Sequence, residues 1–235
     1  KLPFPAWDLL PNERYWKIRR GHGVAFGKEE EVKYASMMTS LGCPFKCTYC
    51  HIGKEIKGSD TQEIGRFRIK SDESGNARML KKWSSNKWDI NNTDIKGLIE
   101  ALKKNNIRMD ANYIIGFPDE TREEVNNTIE FAKQNAKWGV DTSGFFICMP
   151  LPGTTMFDYC MEHGLLDKDF NIDRMNWRNA NMINTPVPPE ELEAIRDKAW
   201  EEVNSDEWKN NRKELIVADP ETGEPSEWKY DDGGE

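Results

Sequence analysis

The chain has 235 residues, 37% hydrophobic and 31% charged, and carries a formal net charge of −8. That balance suits a soluble protein with a modest core, and the negative charge argues against a nucleic-acid backbone as its main partner. No apolar run approaches a membrane span and no apolar leader is visible; with an odd count of five cysteines, this predicts a reduced, cytoplasmic protein without a disulfide framework. The first residue is Lys1, so the sequence reads as a piece of a longer chain. Residues 1–33 read as a linker and lead-in, because Pro3, Pro5 and Pro11 keep the start extended or turning. Residues 34–40 alternate weakly and run into a cysteine loop, which predicts a short strand delivering that loop.

Cys43, Cys47 and Cys50 stand in the spacing C-x-x-x-C-x-x-C. Three thiolates are one short of the four that normally close a four-iron, four-sulfur cluster, so one iron would keep an open position. Zinc is the alternative, with His51 as a fourth ligand, although adjacent residues rarely both reach one tetrahedral ion. Tyr49 puts a ring beside whatever occupies the open position. Cys148 and Cys160 are expected to be buried small residues rather than ligands. His22 and His163 are expected at the surface or in turns. Among nine tryptophans, Trp83, Trp88, Trp177, Trp208 and Trp228 lie in polar contexts, which suits partial burial or a partner-facing surface.

Residues 54–76 are polar and glycine-interrupted, the least structured stretch of the middle. Ile95, Leu98, Ile99 and Leu102 then predict a helix over 93–105 with Thr93 as its cap. Residues 109–116 read as a strand ending on Tyr113, Ile114 and Ile115. Thr121-Arg122-Glu123-Glu124 is a capping box that opens a helix to about Lys137, with Val125, Ile129 and Ala132 inward. Residues 143–149 read as a second strand stopped by Pro150, and a helix follows near 155–163. Pro188-Pro189-Glu190 starts another helix, whose Leu192, Ile195, Ala199 and Val203 form one apolar stripe. Residues 166–217 thus read as a helical C-terminal extension, and 218–235, rich in Asp, Glu, Gly and Pro, as a mobile acidic tail. Alternating strands and helices imply an α/β fold with parallel strands and a site at their carboxyl ends.

The cysteine motif resembles that of the radical S-adenosylmethionine (SAM) superfamily, and three further segments follow in that family's order. Glu73-Ser74-Gly75, with Arg78 and Leu80, is similar to its E-S-G…R-x-L segment after the fourth strand. Ile114-Ile115-Gly116-Phe117-Pro118-Asp119-Glu120-Thr121 is similar to its I-I-G-x-P-x-E-T at the fifth, and Pro152-Gly153-Thr154 to its P-G-T after the sixth. The resemblance spans residues 34–165, the expected radical SAM core. Leu2-Pro3-Phe4-Pro5-Ala6-Trp7-Asp8 is similar to the linker that precedes the barrel in members carrying an N-terminal cobalamin-binding domain.

The resemblance implies that Cys43, Cys47 and Cys50 hold a 4Fe-4S cluster whose open iron chelates SAM. Reductive cleavage would give methionine and a 5′-deoxyadenosyl radical, with a flavodoxin or ferredoxin as electron donor and a small molecule as substrate. Tyr49 would border the adenine, Glu73 and Ser74 the ribose or methionine end, and Gly116, Phe117 and Met149 the adenine edge. Cobalamin would come through a domain outside these residues. One departure stands out: only 22 residues separate Cys50 from Glu73, where two strand–helix units need roughly 60. The expected fold is therefore a partial (β/α) barrel, short of strand–helix units after the cluster loop. Its function is either radical SAM catalysis, including methyl transfer or rearrangement, or a non-catalytic iron–sulfur or zinc-binding remnant.

Overall fold

The computed structural model describes residues 6–13, 20–21, 24–25, 46–50, 74–85, 90–91, 93–105, 109–167, 169–206, 216–218 and 225–227. The expected strand at 34–40, Cys43, His51, Glu73, and Trp88, Trp208 and Trp228 lie outside them. The chain divides into two compact units, one of residues 39–204 and one joining 1–38 to 205–235. In the second unit, β1 (Arg20–Gly21) pairs antiparallel with β2 (Val24–Ala25). There too β5 (Ile216–Ala218) pairs antiparallel with β6 (Pro225–Glu227), so the stretch expected as a tail contributes a strand. Pro225 opens that strand, the position where a missing N–H costs least.

The larger unit carries five helices among its described residues: α1 (Ala77–Trp83), α2 (Ile95–Lys104), α3 (Arg122–Trp138), α4 (Thr155–Glu162) and α5 (Pro189–Val203). Two strands run parallel, β3 (Asp110–Ile115) and β4 (Thr142–Ile147), in register from Asp110 opposite Thr142 to Ile115 opposite Ile147. The fold is thus mixed α/β, with a two-stranded parallel sheet among the described residues. The capping box forms as the sequence reads. Glu124 N–H donates to the Thr121 hydroxyl, Glu124 accepts the Thr121 amide, and Gly139 ends α3 in the left-handed region. The cap of α2 is Asp94 rather than Thr93; its carboxylate accepts the Gly97 amide, and an acidic Asx side chain is the stronger acceptor.

Period-two alternation sorts the strands into two faces. Ala111, Tyr113, Ile115, Phe145 and Ile147 are buried against Ile99 and Leu102 of α2, Val125, Ile129 and Ala132 of α3, and Leu192 and Ala199 of α5. Each such aliphatic side chain stabilises by roughly 1.5–3 kcal/mol on full burial. Asn112, Ile114, Gly144 and Phe146 face the other way and are half-buried. The C-terminal helix α5 therefore packs on the sheet through the stripe its sequence shows.

The outer edge of β4 is closed by side-chain chemistry. Ser143 N–H donates to Asn204 Oδ1 (2.8 Å) and the Ser143 carbonyl accepts from Asn204 Nδ2 (2.8 Å). At the other end, Ile147 N–H donates to the Trp177 carbonyl (2.9 Å). One carboxamide thus makes both bonds that a neighbouring strand would make. Asn204→Ala is expected to destabilise the protein by about 2 kcal/mol, since both Ser143 groups lose their partner. Urea unfolding checks this, and a change below about 0.5 kcal/mol would show that Asn204 does not close the edge.

Candidate functional site

The described part of the cysteine loop, residues 46–50, is docked on two neighbours. Thr48 N–H and Thr48 Oγ1 both donate to the Trp83 carbonyl at the end of α1 (3.0 and 3.1 Å), and Met156 N–H at the start of α4 donates to the Thr48 carbonyl (2.9 Å). Within the loop Cys50 N–H donates to the Cys47 carbonyl (3.2 Å), which makes one tight turn of the two cysteines. Cys47 is buried with its thiol 3.5 Å from the Ser84 carbonyl, and Cys50 is half-buried. The donors are soft thiols, which suits an iron–sulfur centre. Among the described residues no three His, Cys, Asp or Glu side chains form a group that could hold a metal. Cys43 lies outside that set.

Two of the expected adenine neighbours meet here. The Tyr49 ring lies 5.8 Å from Phe117 at 60°, with its hydroxyl 3.2 Å from Ser84 Oγ. Phe117 is buried in a cluster rich in sulfur that includes Met79, Cys148, Met156, Cys160 and Met182. Cys148 and Cys160 are buried as expected, their thiols 3.4 and 3.5 Å from the sulfurs of Met156 and Met182. Burial, and then the nearby Glu120, push the Cys148 thiol well above its usual range, and burial takes Cys160 up to about 12. Both stay neutral thiols. Of the other residues in question, Trp83 is buried and donates its indole N–H to Asp119 (2.9 Å), while His163 is exposed and stacks on Tyr159.

The turn after β3 owes its shape to an acid that sequence reasoning gave no role. Glu120 is buried, and its Oε2 accepts the amides of Gly116 (2.5 Å) and Phe117 (3.1 Å). Gly116 adopts φ +78, a conformation that favours glycine. The second carboxyl oxygen of Glu120 has no hydrogen-bond partner among the described residues. Burial pushes its carboxyl up to about 8, against the two amides, which pull it down. The neighbouring Asp119 turns outward instead. Burial works against its charge, but Lys82, Arg78 and Trp83 together hold it below the usual range. Arg78 makes a fork on Glu124 (2.5 Å from both nitrogens used) and bonds Asp119 (2.5 Å), so α1 is latched to the turn and to α3. That fork, chiefly, takes Glu124 down to about 2.

Ser74 is wholly buried, its hydroxyl 3.1 Å from Thr128 Oγ1 and accepting the Asn76 amide (3.1 Å). It thus ties the segment before α1 to α3 and does not line the cavity described next, which Tyr49 and Met149 do.

That cavity, about 260 Å³, opens at the carboxyl ends of β3 and β4. Tyr49, Cys148, Met149 and Leu151 line it together with Asn112, Ile114, Phe146, Ile147 and the exposed Trp177. Asn112 and Trp177 were not legible as site residues; only their positions, near a strand start and in a polar loop, could be read.

No family model matches the chain. It is similar to an uncharacterized methyltransferase of Pyrococcus horikoshii, 27% identical over 255 residues, a match that takes in 78% of this chain and 50% of that protein. It is also similar to the cytidylyl-2-hydroxyethylphosphonate methyltransferase of Streptomyces wedmorensis, 20% identical over 264 residues, covering 79% and 47%. The chain therefore spans about half the length of the curated relatives it matches. Each alignment is also longer than the 235-residue chain itself, so both relatives hold positions with no counterpart in it.

Proposed function

We propose that this chain is the core of a SAM-dependent methyltransferase of the radical type, with Cys43, Cys47 and Cys50 as ligands of a 4Fe-4S cluster. The observation that carries it is the docking of the Cys47–Cys50 turn on Trp83 and Met156, with Tyr49 lining the open cavity at the carboxyl ends of β3 and β4. The methyltransferase names of both relatives support the same direction. The bound cluster would supply, on reduction by a flavodoxin or ferredoxin, the electron that cleaves SAM. The chain's own residues bind and orient. Tyr49 offers its ring to a flat base with the buried Phe117 packed behind it, and Met149 lines the same cavity. Glu120 holds the Gly116–Phe117 turn, where Gly116 packs closely on Leu192. The lining is mostly apolar, which would limit water around the reacting groups once a ligand fills the cavity. Cobalamin as a methyl carrier rests on the resemblance of residues 2–8 alone. Among the described residues the one histidine, His163, has its ring Nδ1 2.8 Å from the Tyr159 carbonyl, and no step is derived through cobalt.

The test is anaerobic reconstitution with iron and sulfide, reduction, and addition of SAM labelled in its methyl group. Cleavage of SAM by the native protein, reduced about 100-fold or more in Cys47→Ala, is the expected outcome. A full cluster by iron and sulfide analysis with no SAM cleavage would sink the proposal. It would favour the second reading, a cluster-binding domain without SAM chemistry, for which the positions missing relative to both relatives speak.

A further inference from the structure

Trp177 stands at the open side of the cavity, 40% exposed although it is one of the lining residues. Three local constraints hold it there. Ile147 N–H donates to the Trp177 carbonyl (2.9 Å), which ties the loop to the end of β4. The Asn176 side chain accepts the amides of Arg178 (2.8 Å) and Asn179 (3.2 Å), an Asx turn that fixes the chain direction around the ring. The ring itself packs on Phe146 at 5.2 Å and 57°. Trp177 is therefore a fixed wall.

The next residue puts a cation on that wall. The half-buried Arg178 has its guanidinium carbon 4.8 Å over the Trp177 ring. Arg78, Arg122 and Arg196 each rest on a carboxylate. Arg178 rests on a ring instead, and among the described residues no carboxylate forms an ion pair with it. A cation–π contact is an attraction to the charge and consumes none of the five N–H donors. The guanidinium can then meet an oxyanion as a fork, with two parallel hydrogen bonds. Beside it the cavity offers Ile114, Ile147, Met149 and Leu151, an apolar lining for the rest of such a ligand. The chain's net charge of −8 repels anions in general, so a local cation is what would draw one here.

We propose that Arg178, held on Trp177 at the open side of the cavity, binds an oxyanion, a phosphoryl or carboxylate group, on a ligand whose apolar part occupies the cavity. Calling that ligand the methyl acceptor rests on the proposed function; the site itself does not.

Benzyl phosphate, phenylacetate and benzyl alcohol share a ring and differ in the end group. Their binding to the chain reconstituted with iron and sulfide, without SAM or reductant, can be followed by calorimetry and saturation-transfer NMR. At least one of the two anions is expected to bind about 10-fold or more tightly than the alcohol, and the tighter one names the group. That gain should shrink as salt is raised. Arg178→Gln should bring both anions down to the level of the alcohol while leaving the alcohol unchanged. Arg178→Lys, which keeps the charge and loses the fork, should retain only part of the gain. Benzyl alcohol binding as tightly as both anions overturns the proposal. So does an anion preference that survives Arg178→Gln, or no binding by either anion. Because the assay involves no SAM, a protein that binds an anion as expected yet never cleaves SAM refutes the methyltransferase reading and leaves this site intact.

Discussion

Glu120→Ala is expected to cost about 3–4 kcal/mol, from two buried amides left without an acceptor and the space vacated. Glu120→Gln should fall within about 1 kcal/mol of the native protein at pH 5, where the native carboxyl keeps its proton, because a carboxamide oxygen can accept the same two amides. The pair of variants also separates by pH. The folded carboxyl is pushed up to about 8, against an ordinary value of 4.5. The native state therefore keeps a proton that the unfolded chain releases between those values. The stability this group contributes is fully present below pH 4.5 and is lost as the pH rises to about 8. The native protein should weaken across that window by up to ~1.4 kcal/mol per pH unit, and Glu120→Gln should remove that slope. Urea unfolding at pH 5, 6.5 and 8 reads it directly; equal slopes in both proteins would show that another group titrates. Glu124 acts with the opposite sign. Held down to about 2, it contributes stability above its ordinary value of 4.5 and loses it in more acidic solution.

Gly75→Ala is expected to destabilise by about 3 kcal/mol or more, at the top of the range for overpacking. A Cβ there would lie 2.8 Å from Thr128 Cα and from Phe131 Cβ, and 3.2 Å from the Asn127 carbonyl oxygen. Those are atoms on or next to the α3 main chain, and they cannot swing aside as a long side chain would. The Gly75 amide also donates to Thr128 Oγ1 (3.0 Å), the group that bonds Ser74. Pushing residue 75 off α3 breaks that pairing and pulls on the Arg78 latch three residues later. Thr128→Val provides the control, losing the hydroxyl without the clash, and should cost about 1–2 kcal/mol. If Gly75→Ala proves no worse than Thr128→Val, the close approach to α3 is not what fixes a glycine here.

Much of the scaffold was legible because its signals are local. The Thr121–Glu124 box, the proline start of α5 and the alternation in β3 each sit within a few residues, and each formed where the sequence put it. The α2 cap shifted by one residue because Thr93 and Asp94 are adjacent cap residues and Asp94 is the stronger acceptor. Helix α1 was not separated from its polar surroundings. Its inward residues Met79, Leu80 and Trp83 are three among seven, too few for a period to show. The site was harder to read. Asp119 and Glu120 are adjacent acids of the same kind, and nothing in the sequence says that one turns to Arg78 and the other into the core. Likewise Asn112 and Trp177 are 65 positions apart and meet only because the Trp177 carbonyl pairs with β4. The cysteine motif was plain to see, yet Cys43 and Glu73 fall outside the described residues, so the ligand set and the ribose side stand on the sequence alone.

The carboxamide that closes β4 gives this sheet a direction of growth. With Ser143 and Ile147 both occupied at that edge, a further strand has one place to join, alongside β3. Removing Asn204 would make the sheet two-ended, and a stray strand from another molecule could then dock at the wrong side.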